Sequence, residues 1–251
     1  MKKLAQKVAL VTGASKGIGA SIATHFAAEG ASVVVNYASS QAGADAVVAA
    51  ITEQGGRAIA IQADMASEAD VARLFAETQT AFGPVDILVN NAGIYQYAPV
   101  EAVTAADFHR HFDLNVWGAV LAIQHALTHF GPAGGTIINI SSGVSNTPLP
   151  TGSVYSASKA ALDAITIALS KEFSGRNIRI NSILPGVIET EGSRSAGFIG
   201  SEAEARFLAT TPLGRTGQPA DVAKAAVFLA SADASWITGE KVSVSGGIYG
   251  L

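Results

Sequence analysis

Short apolar runs rich in β-branched residues alternate with alanine-rich helical stretches along the whole chain. Several runs are almost continuously apolar, which is typical of parallel strands that helices cover on both faces. Strand–helix–strand repetition implies right-handed crossovers between these strands. The pattern predicts an α/β fold with a doubly wound parallel sheet of about seven strands and helices on both faces. The predicted strands are Val8–Val11, Ser32–Asn36, Ala58–Gln62, Ile87–Asn90, Thr136–Ile140, Arg179–Leu184 and Lys241–Val244.

Capping signals mark the ends of several predicted helices. Apolar residues recur at steps of four from Ile18 to Phe26, and Gly30 then ends this first helix. The sequences Ser67–Asp70 and Thr104–Asp107 resemble capping boxes, in which a side chain at each end bonds to the backbone of the other. We therefore expect them to open the third and fourth helices.

The alternation of predicted strands and helices also indicates the domain organisation. No linker, low-complexity tract or break in composition divides the chain, so we expect one domain over residues 1–251. The segment 191–217 differs because it is rich in Gly, Ser and Thr and contains a weak helical pattern over Glu202–Ala209. We interpret this segment as a substrate lid, called the lid below.

Composition excludes several classes of protein. The chain has 16 Lys plus Arg against 20 Asp plus Glu, a net charge of −4, which disfavours nucleic-acid binding. It contains no cysteine, so disulfides, thiolate metal sites and cysteine nucleophiles are excluded. No run of about 18 apolar residues is present, so we expect no membrane span and a cytoplasmic location. His125 and His129 lie four apart without a third ligand in view, and we expect no metal site.

A glycine-rich turn follows the first predicted strand. Thr12 precedes Gly13, Gly17 and Gly19 in the spacing Gly-x-x-x-Gly-x-Gly, and a helix follows. Glycines allow the backbone to turn sharply and approach a pyrophosphate, whose charge the helix N-terminus stabilises. The position of this turn between a strand and a helix predicts a Rossmann-type dinucleotide site rather than a merely structural turn.

The end of the second strand bears on the choice between NAD(H) and NADP(H). A carboxylate there would bond to the ribose 2′-hydroxyl and repel a 2′-phosphate, but the sequence from Asn36 contains none before Asp45. Lys16 in the glycine turn could supply a cation to the 2′-phosphate. Alternatively, Lys16 is a solvated surface lysine and Asn36 simply ends a strand. We expect NADP(H) to be preferred, with NAD(H) still possible.

Tyr155 and Lys159 lie four residues apart in a predicted helix, so both side chains can face one site. An ammonium near a phenol favours the phenolate, which makes the tyrosine an effective proton donor or acceptor for a carbonyl or alcohol oxygen. Ser142 lies at the carboxyl end of the fifth predicted strand, where open α/β sheets place ligands. Its hydroxyl could donate a hydrogen bond to the same substrate oxygen. Because successive strand residues point to opposite faces, only one of Ser141 and Ser142 can do so, and Ser141 is the alternative.

These motifs together resemble the short-chain dehydrogenase/reductase family. The glycine turn, Asn90–Gly93, Asn115, Ser142, the Tyr155/Lys159 pair and the Pro185-Gly186 dipeptide follow the order and spacing of that family. The similarity covers essentially the whole chain, including Gly239 and the Ser245-Gly246-Gly247 sequence near the carboxyl end.

The resemblance implies a role for each matching residue. Tyr155 would be the general acid/base, and Lys159 would favour its ionised form and bind the nicotinamide ribose. Ser142 would polarise the carbonyl. Asn115 would position a water that links Lys159 to bulk solvent. Equally, Asn115 could be a polar residue in a helix bend whose hydrogen bonds are made within the fold. The implied cofactor contacts are Gly13, Ser15, Lys16, Gly17, Ile18, Gly19, Asn36, Tyr37, Ala38, Ser39, Asp64, Met65, Asn91, Ala92, Gly93, Tyr155, Lys159, Pro185, Gly186, Val187, Ile188 and Thr190.

The predicted reaction is reversible hydride transfer between NADP(H) and a small-molecule carbonyl or secondary alcohol. Two alternatives stay open: a 3-oxoacyl-[acyl-carrier-protein] reductase, for which Arg176 is the one candidate basic contact, and a non-catalytic NADP(H)-binding sensor. Family resemblance also implies a homotetramer, and the alanine-rich face of the Tyr155 helix could pair with a second copy or pack on the sheet of its own chain. Predicted pocket walls, besides the lid, are Tyr95, Tyr97, Val144, Asn146, Pro148 and Leu149.

Overall fold

The computed structural model describes residues 2–173 and 175–248, and within them one parallel sheet of seven strands forms the centre of the molecule. The spatial order is β3-β2-β1-β4-β5-β6-β7. Each strand lies within one residue of its predicted ends, which confirms the predicted α/β architecture. The strands are β1 (Val8–Val11), β2 (Ser32–Tyr37), β3 (Arg57–Gln62), β4 (Ile87–Asn90), β5 (Gly135–Ile140), β6 (Ile178–Pro185) and β7 (Lys241–Val244).

Helices connect the strands and cover both faces of the sheet. A π-helical turn over Asp113–Trp117 joins the fourth helix to the fifth, so these two form one bent unit. The helices are α1 (Gly17–Ala28), α2 (Gln41–Glu53), α3 (Glu68–Phe82), α4 (Ala105–Phe112), α5 (Gly118–His129), α6 (Ser153–Glu172), α7 (Glu191–Ser195), α8 (Glu202–Ala209) and α9 (Pro219–Ala230).

Two apolar layers hold the helices against the sheet. Successive strand residues point to opposite faces, so Ala9 and Val11 of β1 pack in one layer while Leu10 packs in the other. The first layer also contains buried residues of α1, α2 and α9, including Phe26. Phe75 belongs to the second layer, with residues of α5. Helices cover both faces of the sheet, so side chains on both sides of each strand are buried. This explains why the strand sequences are almost continuously apolar.

The helix caps agree with the sequence at two of three places. Gly30 has a φ of 95° just after α1, and Thr104 forms a complete capping box with Asp107 at the start of α4. At α3, the Ser67 hydroxyl accepts a bond from the Asp70 N–H, which is half of the expected box. The Asp70 carboxylate accepts instead from the backbone N–H of Asp64, at 2.9 Å. The capping box predicted there was therefore only half right.

The lid contains two short helices. The weak pattern over Glu202–Ala209 forms α8 with the predicted bounds, and α7 precedes it. A complete capping box between Thr190 and Ser193 starts α7.

Two further properties concern membranes and metals. Across residues 2–173 and 175–248, no helix combines the length and the apolar character needed to cross a bilayer. In that same part of the chain, no group of three or more His, Cys, Asp or Glu side chains is placed to bind a metal ion.

Candidate active site

A deep cleft opens at the carboxyl ends of the strands. The chain reverses its direction of sheet growth between β1 and β4, and ligands of open α/β sheets bind at such a switch point. The cleft has a volume of about 860 Å³. Every cofactor contact implied by the family resemblance lines this cleft, as do Ser142, Tyr155 and Lys159. The structure therefore gathers at one place residues from the glycine turn to the start of the lid.

The glycine turn is shaped by two residues with left-handed backbone. Gly13 and Gly17 have φ values of 60° and 58°, a region that other residues rarely adopt. A Cβ atom on Gly13 would lie 2.9 Å from the Cα of Ala92, so the close approach of these two segments also requires glycine. No side chain bonds to the first turn of α1 within the described residues. The N-terminus of α1 therefore presents its positive end to the cleft.

Asn36 borders the cleft, but its side chain forms hydrogen bonds to the backbone of neighbouring segments. Its Oδ1 accepts a bond from the Gly13 N–H at 3.1 Å, and its Nδ2 donates to the carbonyls of Ile61 and Ala63 at 3.3 and 3.1 Å. The residue is 1% exposed. Asn36 thus fixes the glycine turn to β2 and to the end of β3, and its amide is not available to a 2′-phosphate.

Lys159 is a buried cation on the wall of the cleft. It is 5% exposed, and its Nζ donates to the Ile140 carbonyl at 2.9 Å. Burial lowers the pKa of the Lys159 ammonium from 10.5 to about 8, while the Asp163 carboxylate opposes part of that shift. A pKa of about 8 keeps the ammonium mostly protonated at neutral pH, so it can favour the ionised form of the Tyr155 phenol.

The structure separates the roles of the two neighbouring serines. Ser141 is 4% exposed, and its hydroxyl donates to the carbonyl of Lys159 at 3.3 Å. Ser142 is half-buried at the cleft, where its Oγ accepts a longer bond from the Val144 N–H at 3.4 Å. Both serines line the cleft, but Ser141 secures α6 against β5, whereas Ser142 is the more exposed of the two.

Asn115 lies behind the cleft in the π-helical turn. Its Oδ1 accepts from the Ile94 N–H and its Nδ2 donates to the Ile94 carbonyl, both at 2.9 Å. The same Nδ2 donates to the Ser158 hydroxyl at 3.0 Å. Asn115 is 1% exposed and does not line the cleft. Its side chain joins the segment after β4 to α6, which agrees with a satisfied polar residue in a helix bend.

The predicted pocket walls are partly right. Tyr95, Tyr97, Val144 and Leu149 line the cleft. Asn146 does not, because its Oδ1 accepts a bond from Lys241 Nζ at 2.6 Å, and the neighbouring Pro150 takes the place expected for Pro148.

Three residues near the site had not been singled out in the sequence. Phe198 and Phe207 of the lid line the cleft. Phe198 lies in an irregular segment that gives no periodic signal, and Phe207 lies in α8, whose helical pattern is weak. Asp163 is buried one helical turn after Lys159, and the four-residue spacing in α6 could have identified it.

Comparison with known proteins agrees with this arrangement. The profile of a family described as Enoyl-(Acyl carrier protein) reductase matches residues 13–249. An uncharacterised oxidoreductase of Methylorubrum extorquens is 54% identical over 248 residues, which cover 99% of this chain and 100% of that protein. The chain belongs to the short-chain dehydrogenase/reductase family.

Solved structures of family members show the same fold. A short-chain dehydrogenase from Burkholderia cenocepacia in complex with NADP has a TM-score of 0.91 and 35% identity, over 98% of this chain and 99% of that one. A 7α-hydroxysteroid dehydrogenase complexed with NADH and 7-oxo glycochenodeoxycholic acid has a TM-score of 0.93 and 39% identity, over 98% and 95%. Structures similar to this short-chain dehydrogenase/reductase thus contain either nicotinamide cofactor.

Proposed function

We propose that this member of the family is an NADP(H)-dependent oxidoreductase that interconverts a carbonyl compound and a secondary alcohol. The observation that carries the proposal is the joint placement of Ser142, Tyr155 and Lys159 on the same cleft as the glycine turn. A dinucleotide fits this cleft, because the turn is open where a pyrophosphate would approach and the N-terminus of α1 faces that point. When bound, the nicotinamide supplies or accepts the hydride.

The chain's own residues would then manage the proton and orient the substrate. Tyr155 would donate its phenolic proton to the carbonyl oxygen during reduction and accept it from the alcohol during oxidation. Ser142 would donate a hydrogen bond to the same oxygen, which polarises the carbonyl. The buried ammonium of Lys159 would stabilise the phenolate form of Tyr155 between turnovers.

Preference for NADP(H) is supported by charge at the adenosine end of the cleft. Lys16 lines the cleft in the glycine turn, and residues 37–40, from the last residue of β2 onward, contain no carboxylate. The acidic residue that lines this end is Asp64, after β3. A 2′-phosphate would therefore meet a cation before it met an anion.

The test is the Tyr155→Phe variant, assayed with a panel of ketones, aldehydes and alcohols and with both cofactors. We expect kcat to fall about a hundredfold or more, because general acid catalysis contributes that much, while NADPH binding measured by fluorescence is retained. Phe108→Leu, an exposed ring on α4 outside the cleft, serves as the matched control. A loss of only a few-fold for Tyr155→Phe would contradict the proposed mechanism.

The same substrate panel distinguishes the two alternatives from this proposal. The carrier-protein reductase would need basic residues near the mouth of the cleft, but Arg176 lies two residues before β6 begins, at the opposite edge of the sheet. Arg176 is therefore not placed at the cleft of its own chain. Reduction of an acetoacetyl thioester in preference to simple ketones would revive this alternative. NADPH binding without turnover across the whole panel would instead favour the non-catalytic sensor.

Assembly into a homotetramer is part of the same proposal. The alanine face of α6 does not pack on its own sheet, since Ala157, Ala160, Ala164 and Ala168 are exposed in the chain. Small side chains permit close helix pairing, and the Trp236 side chain, 98% exposed, would also be covered by a second copy. Light scattering that finds a monomer at micromolar concentration would refute the tetramer.

A further inference from the structure

Two half-exposed tyrosines stand beside the proposed catalytic phenol. The ring centroids of Tyr95 and Tyr97 lie 6.2 and 6.0 Å from that of Tyr155, and the Tyr97 ring meets it edge-on. Tyr95 is 49% exposed and Tyr97 45% exposed. We call this pair the tyrosine platform. It offers a large aromatic surface at the point where a substrate carbonyl must approach Tyr155.

The platform is held in place before any substrate arrives. Its segment is fixed at one end by the two bonds between Ile94 and the Asn115 amide, and at the other by the Ala98 N–H, which donates to the Thr151 carbonyl at 2.8 Å. The Tyr97 ring packs against Gly152, where a Cβ atom would approach it to 3.0 Å. Rings that are already ordered lose little entropy when a ligand binds.

The lid adds a second pair of rings to the cleft. Phe198 and Phe207 meet edge-to-face with centroids 6.3 Å apart, and both line the cleft. The start of the lid also touches the platform, since a Cβ atom on Gly192 would lie 2.8 Å from the Tyr95 hydroxyl oxygen. Aromatic side chains therefore reach the substrate region from the segment after β4 and from the lid.

Charge in the cleft argues against an anionic substrate. The charged side chains that line it within the described residues are Lys16, Asp64, Lys159 and Glu191. Lys16 and Asp64 belong to the cofactor end, and Lys159 bonds to the Ile140 carbonyl. A carboxylate or phosphate on the substrate would thus meet Glu191 of the lid rather than a free cation, at a cost in free energy.

We propose that the substrate is an uncharged aryl ketone, or the corresponding aryl alcohol, whose ring stacks on the tyrosine platform. This inference rests on the proposed function. The hydride of reduced nicotinamide forms the new C–H bond at the carbonyl carbon, the carbonyl π bond breaks, and the oxygen takes the Tyr155 proton. The products are the aryl alcohol and the oxidised cofactor, and solvent returns the proton to Tyr155.

The experiment compares acetophenone with cyclohexyl methyl ketone, which has the same carbon skeleton without the aromatic ring. Intrinsic reactivity cancels when the ratio of the two kcat/KM values is compared between the wild type and a variant. We expect Tyr97→Leu to lower the aryl-to-cyclohexyl ratio about 3- to 10-fold, the range that one aromatic pair contributes. Tyr97→Phe should keep the ratio, and Phe108→Leu provides the control for losing a comparably exposed ring elsewhere.

The outcomes separate this inference from the proposed function. An unchanged ratio for Tyr97→Leu, or equal losses for the two ketones, would overturn aromatic recognition while leaving the oxidoreductase intact. If the enzyme turns over neither ketone and no other carbonyl compound in the panel, the proposed function itself is contradicted. NADPH binding by each variant checks that the cleft has folded.

A second inference comes from a buried carboxylate that the mechanism above does not use. Asp163 is 3% exposed on α6, one turn beyond Lys159. Its Oδ2 accepts a bond from the Ser145 hydroxyl at 2.6 Å, and its Oδ1 is buried without a hydrogen-bond partner among the described residues. The backbone N–H of Ser145 donates to the Ser142 carbonyl at 3.0 Å. Asp163 therefore links the helix of Lys159 to the turn that follows Ser142.

We propose that Asp163 is a positioning residue that couples the Ser142 turn to Lys159. The bond to Ser145 fixes the turn, and the negative charge on the same helix face helps to retain the ammonium of Lys159 in its protonated form. The groups around that ammonium are the Asp163 carboxylate from its own helix and the uncharged Ile140 carbonyl from β5. From the segment after β4, Gly93 lies beside it without a charge, since a Cβ atom there would be 3.4 Å from Nζ and 3.0 Å from the uncharged Asn115 Oδ1.

The test is the pH profile of kcat for Asp163→Asn, with Ser145→Ala as the partner variant. Loss of the carboxylate removes an influence that raises the pKa of Lys159, so activity should be lost at a lower pH on the alkaline side. Ser145→Ala retains the charge and loses only the bond. We expect it to lower kcat about 2- to 10-fold without moving the alkaline limb. An alkaline limb that stays in place in Asp163→Asn, with NADPH binding intact, would overturn the inference.

Discussion

Replacing Lys159 by methionine should change how the stability of the cofactor-free protein depends on pH. In the folded chain, burial lowers the pKa of the Lys159 ammonium from 10.5 to about 8. Below pH 8 the lysine is protonated in both the folded and the unfolded state, so it gives stability no pH dependence there. Between pH 8 and 10.5 the folded state loses this proton first. The unfolded state then binds more protons, and the free energy of unfolding rises with pH.

The size of the effect follows from the shift. A difference of one pKa unit corresponds to about 1.4 kcal/mol, so the whole shift is worth about 3.4 kcal/mol when the titration is complete. Between pH 7 and pH 10 the part realised is about 2.5 kcal/mol. The Lys159→Met protein has no such titration. The difference in unfolding free energy, wild type minus Lys159→Met, should therefore become more positive by about 2.5 kcal/mol over this range.

Urea unfolding at pH 7 and pH 10, at one protein concentration and without cofactor, measures this difference directly. In this measurement both proteins carry Tyr155→Phe, because Lys159 influences the ionisation of the Tyr155 phenol, and the remaining groups that titrate in the range are shared and cancel. Lys171→Met removes an exposed ammonium from the same helix, and we expect it to produce a much smaller change. A Lys159→Met difference that moves by less than about 0.5 kcal/mol would show that the ammonium is not desolvated as the structure indicates.

Three further substitutions test the cleft and its support. Gly13→Ala should destabilise the protein by about 1–3 kcal/mol and weaken NADPH binding, because the backbone there has a φ of 60°; unchanged melting and affinity would contradict this. Lys16→Gln should weaken NADPH binding about 10-fold or less and leave NADH binding unchanged, as measured by fluorescence titration; equal effects on both would remove the proposed phosphate contact. Asn139→Val should cost about 1–3 kcal/mol in urea unfolding, since it leaves the buried Nδ2 of Asn90 without its partner, while the Thr166 hydroxyl keeps its bonds to Leu162 and Ser182.

The sheet could be predicted from sequence because its physical cause is local. A strand covered on both faces must be apolar at consecutive positions, so runs such as Val8–Val11 stand out from the amphipathic helices around them. The glycine turn was equally visible, since a left-handed backbone and a close approach at Gly13 both restrict the residue type. The predicted lid helix over Glu202–Ala209 had the right bounds because Ser201 caps it.

The parts that sequence could not supply depend on long-range contacts. At α3, the Asp70 carboxylate bonds to Asp64 outside the helix, and a local box pattern cannot reveal that competition. The π-helical turn at Asp113–Trp117 has no breaking residue, and it places Asn115 against Ile94, 21 residues earlier. Walls such as Phe198 depend on how an irregular segment folds back over the cleft.

The carboxyl edge of the sheet shows why residue type alone does not distinguish support from chemistry. Parallel strands end where loops turn away, so backbone groups there need partners, and the buried amide of Asn36 supplies them. The same edge carries Ser142, whose exposure to the cleft makes it available to a substrate. What separates the two kinds is how much hydrogen-bonding capacity remains: the Asn36 amide is bonded at both its oxygen and its nitrogen, whereas the Ser142 oxygen accepts one long bond of 3.4 Å. We therefore expect Asn36 to influence cofactor binding only by fixing the glycine turn, and the selectivity for a 2′-phosphate to depend on Lys16.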